Sequence, residues 1–352
     1  MPKPATKQPV KKTVASKVPQ PVYDLYRDGL TQGSIATFLD CREQFRLKYV
    51  FGYRAKSKSG ATAFGSAFHD ILSSIQHNAN GKVLTLDEAV AKHYESLGGT
   101  NLVPAQAEAI SSMLATIRIM IQRYLERWSK DDAPKKWELR EDTFNQSVTV
   151  EYGMVNDGSI GQPGRVIPLR GRFDGVFRDK AGGLWLHETK TKGRIDEDGI
   201  AAMLPHDTQT QLYCWAIRKR FGEAPKGVIY DVIRNPSIKQ TQKETQAEFL
   251  ARLDKDLQVR TDWYYMRWQV ALTKKDLDTW EARFLHPVLS QIVAWWESIQ
   301  GNPWNPWTSP LHFVRPGAFW SVYGRADLFN ALTSGNFFDL EQSKIIYPEL
   351  ID

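Results

Sequence analysis

The pattern of apolar positions predicts a mostly helical first half of the chain. Before residue 130, apolar residues recur at steps of three and four, as they do on one face of an amphipathic helix. The predicted helices begin at Ser34 and continue toward Tyr49, and then run over Ala61–Gln76, Leu86–Tyr94 and Ala105–Trp128.

Strand patterns begin near Trp137, where alternation and β-branched residues replace the helical spacing. We predict strands over Ser147–Glu151, Val166–Phe177 and Leu184–Lys190, the last two joined by a hairpin turn at Arg178–Gly183. The remaining predicted elements are a helix over Asp207–Phe221, a strand over Val228–Ile233, a helix over Glu244–Leu257, a strand over Trp263–Leu272 and a long helix over Lys275–Ile299. Strands flanked by helices are typical of a layered α/β domain.

These patterns suggest a division of the chain into successive parts. Residues 1–30 are predicted to form a disordered basic tail, and residues 31–135 a helical N-terminal part. Residues 136–300 are predicted to form the α/β core. Residues 301–352 are rich in aromatic residues and proline, and we expect them to pack on that core.

The composition is that of an ordinary soluble globular protein. Of the 352 residues, 42% are hydrophobic and 24% are charged. The sequence contains neither an apolar run long enough to cross a bilayer nor the apolar region of a secretory signal. Its cysteines, Cys41 and Cys214, are too few for a disulfide framework or a four-thiolate cluster. We therefore expect a cytoplasmic protein, in a bacterium or a phage-infected host, with no membrane partner.

The net charge of +6 is concentrated at the N-terminus. Residues 1–20 contain five lysines and no acid, so the rest of the chain is close to neutral. Such a tail either contacts phosphates through its charge or only increases solubility. The function must therefore be inferred from the rest of the chain.

The predicted hairpin places two carboxylates and a lysine together. Side chains alternate along a strand, so Glu188 and Lys190 share a face, roughly 7 Å apart. Asp174 and Glu188 lie equally far from Ala181 in the turn, so a hairpin closing there sets these acids opposite each other. Opposed side chains have Cβ atoms about 4.5–5.5 Å apart, and two carboxylates that close repel each other unless a cation lies between them.

Hard divalent cations such as Mg²⁺ prefer oxygen ligands of this kind. A lysine beside them can bind a phosphate or help to orient and deprotonate an attacking water. The alternative is that Glu188 and Lys190 form a solvent-facing pair on an edge strand, with Asp174 an unrelated acid near the turn. The symmetric position of Asp174 favours the metal site.

These residues resemble the core of the PD-(D/E)XK nuclease superfamily in its RecB-type branch. The resemblance covers about residues 34–235 and keeps the order of the family's elements. It rests on Ser34, Cys41–Phe45 and Tyr49 of the N-terminal helix, Gly65 and His69 in the G-x-x-x-H element, Gly171–Asp174 followed by Glu188–Lys190, and Gln209 with Tyr213 in the Q-x-x-x-Y motif.

The resemblance implies a restriction-endonuclease-like fold, a mixed sheet flanked by helices. It also implies a metal-dependent deoxyribonuclease, with exonuclease activity favoured, acting in DNA recombination, repair or phage DNA processing. Asp174, Glu188 and Lys190 would be catalytic. The implied metal ligands for one or two Mg²⁺ or Mn²⁺ ions are His69, Asp174, Glu188 and the Thr189 carbonyl. The alternative is a catalytically inactive DNA-binding or scaffold protein with the same fold.

Residues around this centre have candidate supporting roles. Gly65 and His69 lie one helical turn apart, and a glycine there lets another part of the chain approach above the histidine. Gln209 and Tyr213 also lie one turn apart and either hold Lys190 or the DNA backbone, or form a partly buried helix face.

Two more residues are weaker candidates. Glu151 is a candidate further metal ligand, because an acid in an upstream strand can join the metal shell in relatives of this kind. Lys192 is a candidate phosphate contact, with surface charge as the alternative.

The sequence departs from the family in two respects. Phe173 stands where the family name has proline, a change that the RecB-type branch tolerates. Relatives that carry a four-iron–four-sulfur centre need four thiolates; Cys41 matches the N-terminal position, but no cysteine follows Cys214, so we expect no cluster. The C-terminal aromatics, expected to pack in its place or to stack on bases, are Trp304, Trp307, Phe313, Phe319, Trp320 and Tyr323.

The expected partner is single- or double-stranded DNA, together with recombination or replication proteins. The sequence is compatible with cleavage from an end or within the strand, and with either polarity.

Overall fold

A mixed six-stranded sheet forms the centre of the protein. The computed structural model describes residues 20–55, 60–76, 83–151, 164–301 and 340–350. The strands are β1 (Leu30–Thr31), β2 (Tyr53–Ala55), β3 (Lys136–Val150), β4 (Arg165–Arg178), β5 (Leu184–Lys192), β6 (Gly227–Arg234), β7 (Tyr265–Ala271) and β8 (Leu340–Gln342). The sheet runs β1-β4-β5-β6-β7, with β3 also paired to β4, while β2 and β8 form a separate antiparallel pair.

Helices cover both faces of the sheet. They are α1 (Leu25–Asp28), α2 (Gln32–Asp40), α3 (Arg42–Phe45), α4 (Gly60–Gln76), α5 (Leu86–Ser96), α6 (Pro104–Asp132), α7 (Glu197–Met203), α8 (Thr208–Phe221), α9 (Gln246–Val259), α10 (Thr261–Tyr264), α11 (Lys274–Trp280) and α12 (His286–Ile299). Leu186 of β5 packs with α2, α8 and α12, and Ile233 of β6 packs with α4, α6 and α9. This confirms the predicted mixed α/β architecture. No helix within the described ranges is both long and apolar enough to cross a membrane.

Residues 20–30, which we expected to belong to the tail, are folded into the protein. Tyr23, Leu25 and Leu30 are buried, and β1 pairs in parallel with β4. Asp24 caps α1 by accepting hydrogen bonds from two backbone N–H groups. The assignment of residues 20–30 to the tail is therefore wrong, because these residues are part of the core. Residues 1–19 lie outside the described residues.

Three predicted elements have different bounds because local features interrupt the pattern. The helix expected from Ser34 to Tyr49 breaks at Cys41, whose backbone is extended and whose Sγ atom accepts from Gln44 N at 3.4 Å. The expected Lys275–Ile299 helix contains a π-helical turn at Glu281–Leu285. The strand expected from Ser147 begins already at Lys136. The sequence does not predict this earlier part as a strand, because five of the seven residues from 136 to 142 are charged.

Residues 340–350 pack against the N-terminal part of the described structure. β8 pairs with β2, and the buried Tyr347 donates a hydrogen bond to Gly29 O at 2.8 Å. Tyr23 donates to the same carbonyl at 2.7 Å. The packing role of residues 301–352 as a whole stays a prediction. Its aromatic residues Trp304, Trp307, Phe313, Phe319, Trp320 and Tyr323 lie outside the described residues.

Candidate active site

The β4–β5 hairpin closes in the register that the sequence predicts. Asp179 builds the turn, since its Oδ1 atom accepts hydrogen bonds from two backbone N–H groups within it. Pairing runs from Arg178 opposite Leu184 to Gly175 opposite His187. The next step of this register sets Asp174 opposite Glu188.

The strands separate at this point, and the separation creates the candidate site. On this edge of β4, the described strands pair at Leu169 and Arg170 with β1 and from Gly175 onward with β5. Between these pairings, the backbone N–H of Thr189 in β5 donates its hydrogen bond to Asp174 Oδ2, at 2.8 Å, instead of to a backbone carbonyl of β4. Asp174 is thereby fixed at the opening between the strands.

Glu188 is an almost completely buried acid at this opening, with 1% of its side chain exposed. Its Oε2 atom accepts hydrogen bonds from Lys190 Nζ at 3.0 Å and from Gln209 Nε2 at 2.8 Å. Within the described ranges its Oε1 atom has no hydrogen-bond partner. Burial and the carboxylate of Asp174 outweigh the opposing effect of Lys190 and raise the pKa of Glu188 to about 8.

Lys190 is the cation of the cluster. Burial favours the neutral amine, but the carboxylates of Glu188 and Asp174 outweigh burial and raise the pKa of Lys190. Its side chain is 30% exposed, so the ammonium group lies between the buried acids and solvent.

His69 approaches the same cluster from α4. Its Nδ1 atom lies 3.9 Å from Asp174 Oδ2. Burial lowers the pKa of His69 despite the nearby carboxylate, so the imidazole is neutral at neutral pH and has a lone pair available to a metal. A Cβ atom at Gly65 would lie 2.9 Å from Thr191 Oγ1, so the glycine allows α4 to pack this closely against β5.

The Q-x-x-x-Y motif lies on α8, which begins beside the site and is capped by Asp207. Gln209 contacts Glu188 rather than Lys190. Tyr213 packs edge-on against Phe173, with 5.6 Å between the ring centres, and is largely buried. Gln209 therefore has a polar contact in the cluster. The pKa of Tyr213 is raised by burial and by the carboxylate of Glu188, so its hydroxyl also interacts with the cluster.

Glu141 belongs to the site and was missed by the sequence interpretation. The β3–β4 register pairs Asp142 with Phe173 and Arg140 with Gly175, which sets Glu141 opposite Asp174. Burial and the carboxylate of Asp174 raise the pKa of Glu141 to about 8. The spacing that identified the hairpin gave no signal for Glu141, because β3 and β4 are joined by a long connection.

The backbone of Glu141 is strained. It has a φ of +47°, a left-handed conformation that costs a non-glycine residue about 1–3 kcal/mol. The side chain also forms an ion pair with Arg172, with Nε and Oε2 3.3 Å apart. Strain of this kind is often found at functional sites, which is a second reason to include Glu141 here.

Glu151 is not near the site, contrary to our expectation. It follows Val150, which pairs with Arg165 at the far end of β4 from Asp174. Nine residues of extended strand correspond to roughly 30 Å. The side chain is exposed. The upstream acid of this site is therefore Glu141 rather than Glu151.

The last two candidates lie along β5. Thr189 is buried and donates its N–H to Asp174. Lys192, at the end of the strand, is partly exposed, and its carbonyl accepts from Asn235 N at 2.9 Å. His187 faces the other side of the sheet and contacts Asp231 Oδ2 at 3.2 Å.

The chemistry of these side chains fits a hard divalent cation. In the described part of the chain, no three His, Cys, Asp or Glu side chains already converge as a metal-binding group. The fit rests instead on the unpartnered Oε1 atom of buried Glu188, on the neighbouring acids Asp174 and Glu141, and on the neutral imidazole of His69. Carboxylates that raise one another's pKa gain free energy when a cation joins them.

The mixed sheet flanked by helices, with this cluster between diverging strands, defines a restriction-endonuclease-like protein. The model of a known family, the PD-(D/E)XK nuclease superfamily, matches residues 29–327. The chain therefore belongs to the PD-(D/E)XK nuclease superfamily. Membership supports a nuclease-type function in general, and members of this superfamily usually depend on Mg²⁺ or Mn²⁺.

Solved structures give a weaker comparison. One matching chain, described as "Crystal structure of SSO0001", is 18% identical, with 55% of this chain and 74% of that chain covered and a TM-score of 0.22. No curated protein matches this sequence significantly.

Proposed function

We propose that this protein is a Mg²⁺- or Mn²⁺-dependent deoxyribonuclease of the RecB-type branch that hydrolyses DNA phosphodiester bonds. We further propose that it acts as an exonuclease on single- or double-stranded DNA in recombination, repair or phage DNA processing, in the cytoplasm and with recombination or replication proteins as partners. The observation that carries the proposal is the buried Glu188, held by Lys190 and Gln209 with one oxygen unpartnered, beside Asp174.

In this proposal the metal ligands are His69, Asp174, Glu188 and the Thr189 carbonyl, and Glu141 joins them. When bound, the cation would supply Lewis-acid polarisation of the phosphate and acidify a water molecule. The Thr189 N–H group orients Asp174, and Gln209 orients Glu188.

Lys190 has the role of the catalytic cation. Its ammonium group stabilises the negative charge that develops on the phosphate as water attacks phosphorus and the bond to the leaving sugar oxygen breaks. Its hydrogen bond to Glu188 holds it at the edge of the buried acids, with part of the side chain still open to a substrate.

The central test is cleavage of end-labelled linear DNA and covalently closed circular DNA with Mg²⁺, Mn²⁺ or EDTA. We expect metal-dependent loss of the linear substrate, and the circle should resist if the protein needs an end. Asp174→Asn, Glu188→Gln and Lys190→Met should each abolish cleavage. Glu151→Gln is the matched control, because it removes an exposed acid on the same sheet, far from the site.

The competing function is a DNA-binding scaffold that retains the fold without activity. It predicts DNA binding without metal-dependent cleavage, and no site-specific Mn²⁺ binding in isothermal titration. Full activity in all three site variants would likewise contradict the proposed roles. The conjunction of Asp174, Glu188 and Lys190 favours the enzyme, since DNA binding alone does not require acids buried next to each other.

A further inference from the structure

Tyr230 lies beside the proposed active site on the neighbouring strand. In the parallel pairing of β5 with β6, Tyr230 is the partner of Glu188, and Val232 is the partner of Lys190. Neighbouring strands lie about 4.8 Å apart, and paired residues point to the same face of a sheet. Tyr230 is partly buried against the hydrophobic cluster beneath α8, the helix that also carries Gln209.

The hydroxyl group of Tyr230 remains a proton donor at neutral pH. Burial raises the pKa of Tyr230 to about 12, and the ammonium of Lys190 opposes this effect more strongly than any other neighbour. The carboxylates of Asp207, Glu188 and Asp174 add to the increase. The hydroxyl, on the residue paired with Glu188, is therefore protonated at neutral pH.

Within the described ranges, this hydroxyl makes no hydrogen bond, whereas the hydroxyls of three buried tyrosines each do. Tyr124 donates to Asp231 Oδ2 at 2.6 Å, Tyr265 to Met120 O at 2.9 Å and Tyr23 to Gly29 O at 2.7 Å. Tyr230 is partly buried, but its hydroxyl oxygen is not among the buried polar atoms that lack a partner, so it is open to solvent, and water or a ligand can accept its hydrogen bond.

Lys190 also has unused donors. An ammonium group has three N–H donors, and in the described structure Lys190 gives one of them to Glu188. Tyr230, the strand partner of Glu188, and Lys190, which bonds to Glu188, thus offer one neutral and one charged donor beside the same acid. Paired donors of this kind suit the non-bridging oxygens of a phosphodiester, which protein hydroxyls and ammonium groups commonly contact.

We propose that the Tyr230 hydroxyl donates a hydrogen bond to a non-bridging oxygen of the phosphodiester that Lys190 holds. The inference rests on the proposed function, because it assumes that this site cleaves nucleic acid. The alternative is that Tyr230 serves only as an aromatic ring that packs under α8.

The test is Tyr230→Phe, which keeps the ring and removes only the hydroxyl. Losing a hydrogen bond to a charged oxygen should lower kcat/KM by about tenfold to a hundredfold. Thermal stability and Mn²⁺ affinity should stay unchanged. Tyr94→Phe is the matched control, since Tyr94 is a partly buried tyrosine of the other hydrophobic cluster and should tolerate the change without effect.

A sulfur-substituted substrate separates a direct contact from a structural effect. DNA with a single phosphorothioate of defined configuration at the cleaved bond should react more slowly when sulfur replaces the oxygen that Tyr230 contacts. In Tyr230→Phe, this penalty should shrink for that diastereomer and stay the same for the other, measured with Mn²⁺ in both cases.

Equal penalties in wild type and variant would overturn the contact, as would wild-type kcat/KM in Tyr230→Phe. A wild-type protein that cleaves no DNA would instead overturn the proposed function, and this contact with it. The two failures are therefore distinguishable.

Discussion

Glu141 lies opposite Asp174 across the β3–β4 pair, and the two carboxylates lie close enough to raise the pKa of Glu141. The backbone of Glu141 is held in a left-handed conformation at this position. A buried acid that is both strained and repelled by its neighbour destabilises the metal-free fold. A divalent cation bound by both carboxylates would offset their repulsion, which explains why the two acids lie together.

Glu141→Gln should therefore separate activity from stability. The variant keeps the size of the side chain but removes the carboxylate that can bind a cation beside Asp174, so we expect at least a tenfold loss of Mn²⁺ affinity and of cleavage rate. The metal-free variant should be at least as stable as wild type in urea unfolding. Glu151→Gln should change neither property. Wild-type metal affinity in Glu141→Gln would exclude Glu141 from the metal site.

Glu188 and Glu141 should each make the metal-free protein lose stability as pH rises from about 4.5 to 8, while the lowered pKa values of His69 and His187 act in the opposite direction up to about pH 6.5. Glu188 and Glu141 have folded-state pKa values raised to about 8 from an ordinary value of 4.5, so the folded state keeps protons that the unfolded state has released. The measurement is urea unfolding in EDTA across this pH range, with Glu188→Gln and Glu141→Gln as comparisons. Each variant should show a smaller decrease with pH than wild type.

A divalent ion must displace these same protons. Mn²⁺ affinity should therefore increase as pH rises toward about 8, and binding at pH 7 should release protons. Isothermal titration in buffers of different ionisation enthalpy measures the release directly. An affinity that stays constant from pH 6 to 9 would contradict the assignment of Glu188 and Glu141 to the metal site.

The part of the site that the sequence predicts consists of residues whose placement follows from patterns within one short segment. Asp174, Glu188 and Lys190 lie on one hairpin, where strand alternation and the position of the turn fix their relative placement. The RecB-type motifs added His69 and Gln209. All five residues belong to one cluster in the structure.

Glu141 required information that the local pattern lacks. Its position depends on the register of β3 against β4, whose pairing joins segments separated by a long connection. The first half of β3 is mostly charged, and its only apolar residues, Trp137 and Leu139, are too few to predict a strand there. The sequence predicts Glu151 as the upstream acid instead, because only the apolar end of β3 has a recognisable strand pattern. The strand β1 could not be predicted either, because two residues are too few to show an alternating pattern.

A buried charge network on the face of the sheet opposite Glu188 joins Asp231, Arg267 and His187. We expect this network to contribute to stability rather than to catalysis. Asp231 is fully buried and accepts hydrogen bonds from Arg267 Nε at 2.6 Å and Nη2 at 2.7 Å. Arg267→Leu should destabilise the fold by about 3–5 kcal/mol, because it leaves the Asp231 carboxylate buried without its cation. Arg118→Leu, which removes an exposed and solvent-screened ion pair with Asp87, should cost far less. Urea unfolding of the two variants provides the comparison. If both lose the same free energy of unfolding, the ion pair of Arg267 with Asp231 does not stabilise the fold more than an exposed pair does.

The close packing of α4 on β5 predicts a specific pair of substitutions. Gly65→Ala improves helix propensity by up to about 1 kcal/mol, but its Cβ atom would lie 2.9 Å from Thr191 Oγ1. The Thr191 side chain or the helix must then shift. We expect the helix to move and to carry His69 with it, so Mn²⁺ affinity and cleavage should both decrease.

Thr191→Ala removes the atom that the new Cβ would meet. The double variant Gly65→Ala/Thr191→Ala should therefore recover most of the Mn²⁺ affinity that Gly65→Ala loses, while Thr191→Ala alone should have little effect. Isothermal titration of the four proteins forms a double-mutant cycle. If the two substitutions are additive, Gly65 is not needed for the approach of α4 to β5, and the glycine must act on His69 in another way.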